Sequence, residues 1–69
     1  MDTNAATPEN FDTWERKARN MTMAQLVWSR ADAIEAARAV ETFDSAGAGR
    51  YIDEACTYGR EIARRGGVA

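Results

Sequence analysis

The residues best placed to do chemistry are Ala46-Gly47-Ala48-Gly49-Arg50-Tyr51. Small residues open a helix, and an arginine and an aromatic follow. A helix N-terminus presents unpaired N–H groups and partial positive charge, which suits phosphate. Gly47 and Gly49 let a ligand approach the backbone, Arg50 can fork onto phosphate, and Tyr51 can stack on a base. Trp28, supplied by a neighbouring subunit, is a second candidate for stacking. The segment lacks the lysine and spacing of a P-loop, and it also reads as a tight inter-helix turn built for close packing. A second cationic group is Arg60, Arg64 and Arg65. It is an anion or acidic-partner site in one reading and complements the helix dipole in the other.

Other chemistry is scarce. The chain has no histidine and a single cysteine, so the commonest general base is missing and one thiol cannot build a structural zinc site. Cys56 lies beside an apolar stripe and is expected to be a small buried hydrophobe. Asp53 and Glu54 are adjacent, so on a helix they diverge by about 100° and do not form a proton-sharing pair. Asp32 and Glu35 read as surface charge. No enzyme activity, metal or cofactor is expected.

Three helices must position these residues. Thr7-Pro8 is a helix start, with threonine as cap and proline in the first turn. It predicts a short helix over 8–19 that carries Phe11, Trp14 and Ala18 on one face, with 1–7 a flexible tail. Thr22-Met23-Ala24-Gln25 is a capping box, and Met21 and Leu26 form its staple. Met23, Leu26, Val27, Ile34, Ala37 and Val40 then recur at helical spacing over 23–42. Asp44 or Ser45 caps a third helix over 46–65, which ends at Arg64-Arg65-Gly66-Gly67. Phe43 is expected under the turn, and Trp28 or Phe11 against Gly59. The short connection returns the chain antiparallel. The fold class is therefore all-α: a short N-terminal helix plus an antiparallel helical hairpin.

Sixty-nine residues form one domain with net charge −2. A chain this short is marginal alone, and it has no disulfide or metal to staple it. A homo-oligomeric helical bundle is expected, with Leu26, Trp28, Ile34, Tyr51, Tyr58 and Ile62 sharing burial and Phe11 and Trp14 at the rim. The charge balance argues against nucleic acid as partner. No apolar run is long enough for a signal peptide or a membrane span, so no membrane is expected and the location reads as cytoplasmic.

The residues Ala48-Gly49-Arg50-Tyr51-Ile52-Asp53-Glu54-Ala55 and Tyr58-Gly59-Arg60-Glu61-Ile62-Ala63-Arg64-Arg65 resemble short helical proteins of bacteriophages and prophages, whose last helix follows a KAGxYxDEAxxYxxELxRR-like pattern. The chain departs from that pattern at Gly49-Arg50, where a lysine nearer the turn would stand. The resemblance implies a phage protein working in the host cytosol, of a kind that often inhibits host defence. The implied activity is non-enzymatic: sequestering a small anionic nucleotide ligand, or masking a host protein. A module that only oligomerises is the alternative.

Overall fold

The computed structural model describes residues 5–67. It has three helices, α1 (Pro8–Asn20), α2 (Met23–Val40) and α3 (Ser45–Arg64), and no strand among the described residues. Each start has a local cause. The Thr7 hydroxyl accepts from the Asn10 N–H at 3.2 Å, while Asn10 accepts from the Thr7 N–H at 3.0 Å. Thr22 and Gln25 repeat this exchange at 3.1 and 2.8 Å. Such reciprocal boxes satisfy donors that a helix start leaves open. At α3 a carboxylate does the work: Asp44 accepts from the Gly47 N–H at 2.9 Å. The end of α3 is a Schellman turn. Gly66 takes φ +86°, and the Gly66 and Gly67 N–H groups donate to the carbonyls of Ala63 and Ile62 at 3.0 and 2.9 Å. Glycine adopts that left-handed conformation without the penalty a Cβ brings.

The connection between α1 and α2 is only Met21-Thr22, and both helices pack on α3. Gly67, just past α3, lies so close to the start of α2 that a Cβ there would come within 3.1 Å of the Met23 methyl. At the other end, Ala37 and Glu41 line a cleft with Ser45 and Ala48. The Cα trace spans 37 × 22 × 13 Å, a flat molecule.

The core is Trp14, Ala18, Leu26, Tyr58 and Ile62, with Ala6, Phe11 and Met21 packed against it. Ala6 thus packs within the segment expected to be a tail; residues 1–4 of that segment lie outside the described residues. Phe11 meets Trp14 edge to face, with centroids 5.2 Å apart. Leu26, Tyr58 and Ile62 are almost wholly buried within one chain. They are therefore not available for burial shared between subunits: α1 supplies the cover that two helices alone would lack. Trp28 is 68% exposed, and Ile34 and Tyr51 are half-buried.

Several expectations for α2 and the turn are corrected. Helix α2 buries Leu26, Ala33 and Ala37, whereas Met23 and Val27 of the expected stripe are exposed. Packing on α3 selects the flank at 26, 33 and 37, and Val27 is turned from it by about 100°. Phe43 is 77% exposed rather than tucked under the turn. Its N–H donates to the Val40 carbonyl, so the backbone closes the turn without help from the ring. Gly59 is buried, but it shares a groove with Ile34 and Arg30 rather than with Trp28 or Phe11.

Candidate functional site

Gly47, Gly49, Arg50 and Tyr51 come together at the start of α3, yet the helix N-terminus is already engaged. The Gly47 N–H points at the Asp44 carboxylate, and a Cβ on residue 47 would run into that same group. An incoming anion meets negative charge there before it meets free N–H groups. Gly49 is exposed, with nothing within 4 Å of where a Cβ would stand. The Arg50 guanidinium lies over the Tyr51 ring, 5.4 Å from its centroid, in a cation–π arrangement. Arg50 and Glu54 stand four residues apart, a spacing that suits an ion pair on a helix, but no such pair forms among the described residues. Glu54 instead accepts from the Tyr58 hydroxyl at 2.6 Å. Burial, that hydrogen bond and the charge of Glu54 together push the Tyr58 pKa well above the usual range for a phenol.

Within one chain Trp28 stands apart from this group. It lies in the first half of α2 beside Met21, Ala24 and Gln25, whereas Ala37 and Arg38 of α2, with Glu41 just past its end, lie beside Gly49. Nine or more helical residues separate the two levels, roughly 14 Å along the axis.

Arg60 and Arg64 belong to a third place, a cleft of about 190 Å³ between α1 and α3 that also involves Glu15, Arg19 and Thr57. That volume is below the roughly 300 Å³ at which small-molecule pockets begin. Its charges are largely matched. Arg64 forks onto Glu61 at 3.0 and 2.5 Å, and Arg19 faces Glu15 at 3.8 Å. Arg60 donates to the Thr57 hydroxyl at 3.2 Å. Hydrogen bonds from Arg64 and then Arg65 outweigh the burial of Glu61 and hold its carboxyl at about 2, well below its ordinary value of 4.5.

Arg65 does more than close the sequence with positive charge. Its Nε donates to Glu61 at 2.7 Å. Its two terminal nitrogens reach back across the fold to the carbonyls of Met21 and Ala18 at 2.8 Å and of Arg19 at 3.2 Å. These carbonyls end α1, so a residue more than 40 positions away caps that helix. The only sequence trace of this joint is the i+3, i+4 spacing of Arg64 and Arg65 after Glu61; the carbonyl acceptors leave no mark in a sequence.

A broader groove, about 500 Å³, lies between α2 and α3. Its apolar wall includes Ile34, Ile52, Cys56 and Ala63, and Arg30 and Arg60 supply its charge. Cys56 is exposed there and not buried as expected. Ala55 takes the inward position, and the next residue turns outward by about 100°. Among the described residues no group of three possible ligands could hold a metal ion, and no helix is long and apolar enough to cross a membrane. Compared with known proteins, the chain matches no family model, no curated protein and no solved structure.

Proposed function

We propose that this chain is a non-enzymatic binding protein: α2 and α3 form an antiparallel hairpin with α1 across one end, and copies of it associate into an oligomeric helical bundle that captures a small anionic ligand of the nucleotide class. The observation that carries this reading is the Arg50–Tyr51 pair. A guanidinium held 5.4 Å from an aromatic centroid, with no carboxylate partner among the described residues, pairs a phosphate donor with a base-stacking platform. Because Asp44 already engages Gly47, Arg50 rather than the helix N-terminus supplies the phosphate contact. The resemblance to phage proteins gives the capture a purpose, removal of a nucleotide signal of host defence in the host cytosol.

A thermal-shift screen against nucleotides tests this. A ligand present at about 100 times its dissociation constant adds about 2.7 kcal/mol of stability. Arg50→Ala removes the shift while helix content stays intact. If Arg50→Ala binds normally and Arg60→Ala or Arg64→Ala does not, the α1–α3 cleft is the site.

A second reading, masking of a host protein, is favoured by one further observation. Trp28, Val27 and Met23 are exposed together on the first turns of α2, and tryptophan is the side chain most enriched at interface hot spots. A screen in which no anion shifts the melting temperature transfers the function to this surface. Assembly without either partner is the remaining alternative, and light scattering addresses the oligomer itself: a mass of 7.6 kDa at tens of micromolar contradicts it.

A further inference from the structure

Helix α3 carries a second seam besides the one that packs on α2 and α1. Gly49, Ile52, Cys56, Gly59 and Ala63 follow one another at alternating spacings of three and four, the a/d pattern of helices that pack side by side. Gly49, Cys56 and Ala63 are exposed, and Ile52 is 43% exposed. Directly after Ile52 and Gly59 come Asp53 and Arg60, seven residues apart and so on the same flank of the seam. Among the described residues neither has an ionic partner. Arg60 bonds only the neutral Thr57 hydroxyl.

We propose that a second copy of this chain docks on this seam, α3 against α3 and antiparallel, with Asp53 of each copy paired to Arg60 of the other. The proposal rests on the oligomeric part of the function above and names its interface. A two-fold contact must be self-complementary: if residue i meets j, then j meets i. An acid and a base one heptad apart on the same flank meet that condition only when the helices run in opposite directions, about an axis between Cys56 and Thr57. A parallel pairing would turn this flank toward the opposite flank of the partner helix, which carries Ala48, Ala55 and Ile62, so neither charge would meet its complement. Gly59 is buried at the foot of the seam; the small exposed residues at 49, 56 and 63 let the two backbones approach closely, and Ile52 supplies apolar area on each side of the axis. The contact covers the open groove.

Charge exchange tests the interface. Asp53→Arg and Arg60→Asp are each expected to weaken association about tenfold or more by sedimentation, and the double exchange to restore it. Circular dichroism checks that each variant keeps its helices. A short bismaleimide is expected to join two wild-type copies through Cys56, and Cys56→Ser to abolish the joint. A wild-type monomer overturns both the oligomeric reading and this interface. An oligomer indifferent to both single exchanges, or one that the double exchange fails to restore, overturns the interface alone. So does a monomeric complex in which ADP protects Cys56 from a monofunctional maleimide, since a ligand then occupies the groove.

Discussion

The two tryptophans of this chain sit in opposite kinds of surroundings. Trp14 is 7% exposed and meets Phe11 edge to face within the core; Trp28 is 68% exposed. At the α1–α3 junction beneath Trp14 charged groups are matched within the chain: Glu61 holds Arg64 and Arg65, and Arg65 holds the end of α1. Beside Trp28, Met23 and Val27 are exposed, and along the outer seam of α3 Asp53 and Arg60 have no ionic partner among the described residues. The α1–α3 junction is finished within one chain. The outer faces of α2 and α3 leave Met23, Val27, Trp28 and Ile52 exposed.

The sharpest way to break this contrast is to truncate each tryptophan. Trp14→Ala is expected to cost about 3–5 kcal/mol, as large core truncations do, and that is much of the stability of a domain this small. Trp28→Ala is expected to stay within about 0.5 kcal/mol. Urea unfolding followed by circular dichroism measures both at a concentration where the chain is monomeric. Equal losses would mean that Trp28 is covered within the chain.

A smaller effect separates two arginines of the last turns. Arg65→Ala takes the side-chain donors from the carbonyls that end α1, leaving Ala18 only the Met21 N–H, and removes a charged donor from Glu61. Removing donors from part-buried carbonyls costs about 2–3 kcal/mol in all. Arg60→Ala loses one bond to a hydroxyl and is expected to cost about 0.5 kcal/mol in the monomer. For a domain of this size each kcal/mol lowers the melting temperature by about 4–8 °C. Arg65→Lys should recover only part of the loss, because an ammonium keeps the charge and not the fork.

The same junction carries an acid dependence. Glu61 titrates at about 2 in the folded chain and at an ordinary 4.5 when unfolded. A depressed carboxyl contributes its full stability above 4.5 and loses it as the pH falls toward about 2. Glu61→Gln is therefore expected to lower the melting temperature near neutrality and to flatten its decline across that acid window. A variant whose acid limb stays as steep as that of the wild type places the dependence on other carboxylates.

Local signals explain how much of this was legible in the sequence. The cap and proline at Thr7-Pro8, the box at Thr22-Gln25 and the glycine stop at Gly66 involve residues within a few positions of each other, so the type, order and near-limits of the helices could be read directly. Which flank of α2 is buried could not. The flank carrying Val27 is as apolar as the one carrying Ala33, and only the position of α3 decides between them. Cys56 failed for the same reason. The site residues were legible as types and not as a place: Asp44 and Ser45 were equal candidates for the cap, and only the choice of Asp44 sets a carboxylate on the Gly47 N–H.

The smallest prediction contrasts two glycines of that candidate site, two residues apart in one helix. Alanine is a better helix former than glycine by about 1 kcal/mol, so each substitution starts with the same favourable term. At Gly49 nothing lies within 4 Å of the new Cβ, and Gly49→Ala is expected to keep that gain in the monomer. At Gly47 the Cβ runs into the Asp44 carboxylate. The carboxylate must swing away, which forfeits the cap, and losing an N-cap costs about 1 kcal/mol. Gly47→Ala is therefore expected to be neutral or destabilising, and Gly47→Ala in an Asp44→Ala background to regain the stabilisation seen at Gly49, because the obstacle has gone. Thermal unfolding of the wild type, Gly49→Ala, Gly47→Ala, Asp44→Ala and the double variant checks the cycle. If Gly47→Ala stabilises the wild type as much as Gly49→Ala does, Asp44 does not hold the start of α3, and the helix N-terminus is open to an anion after all.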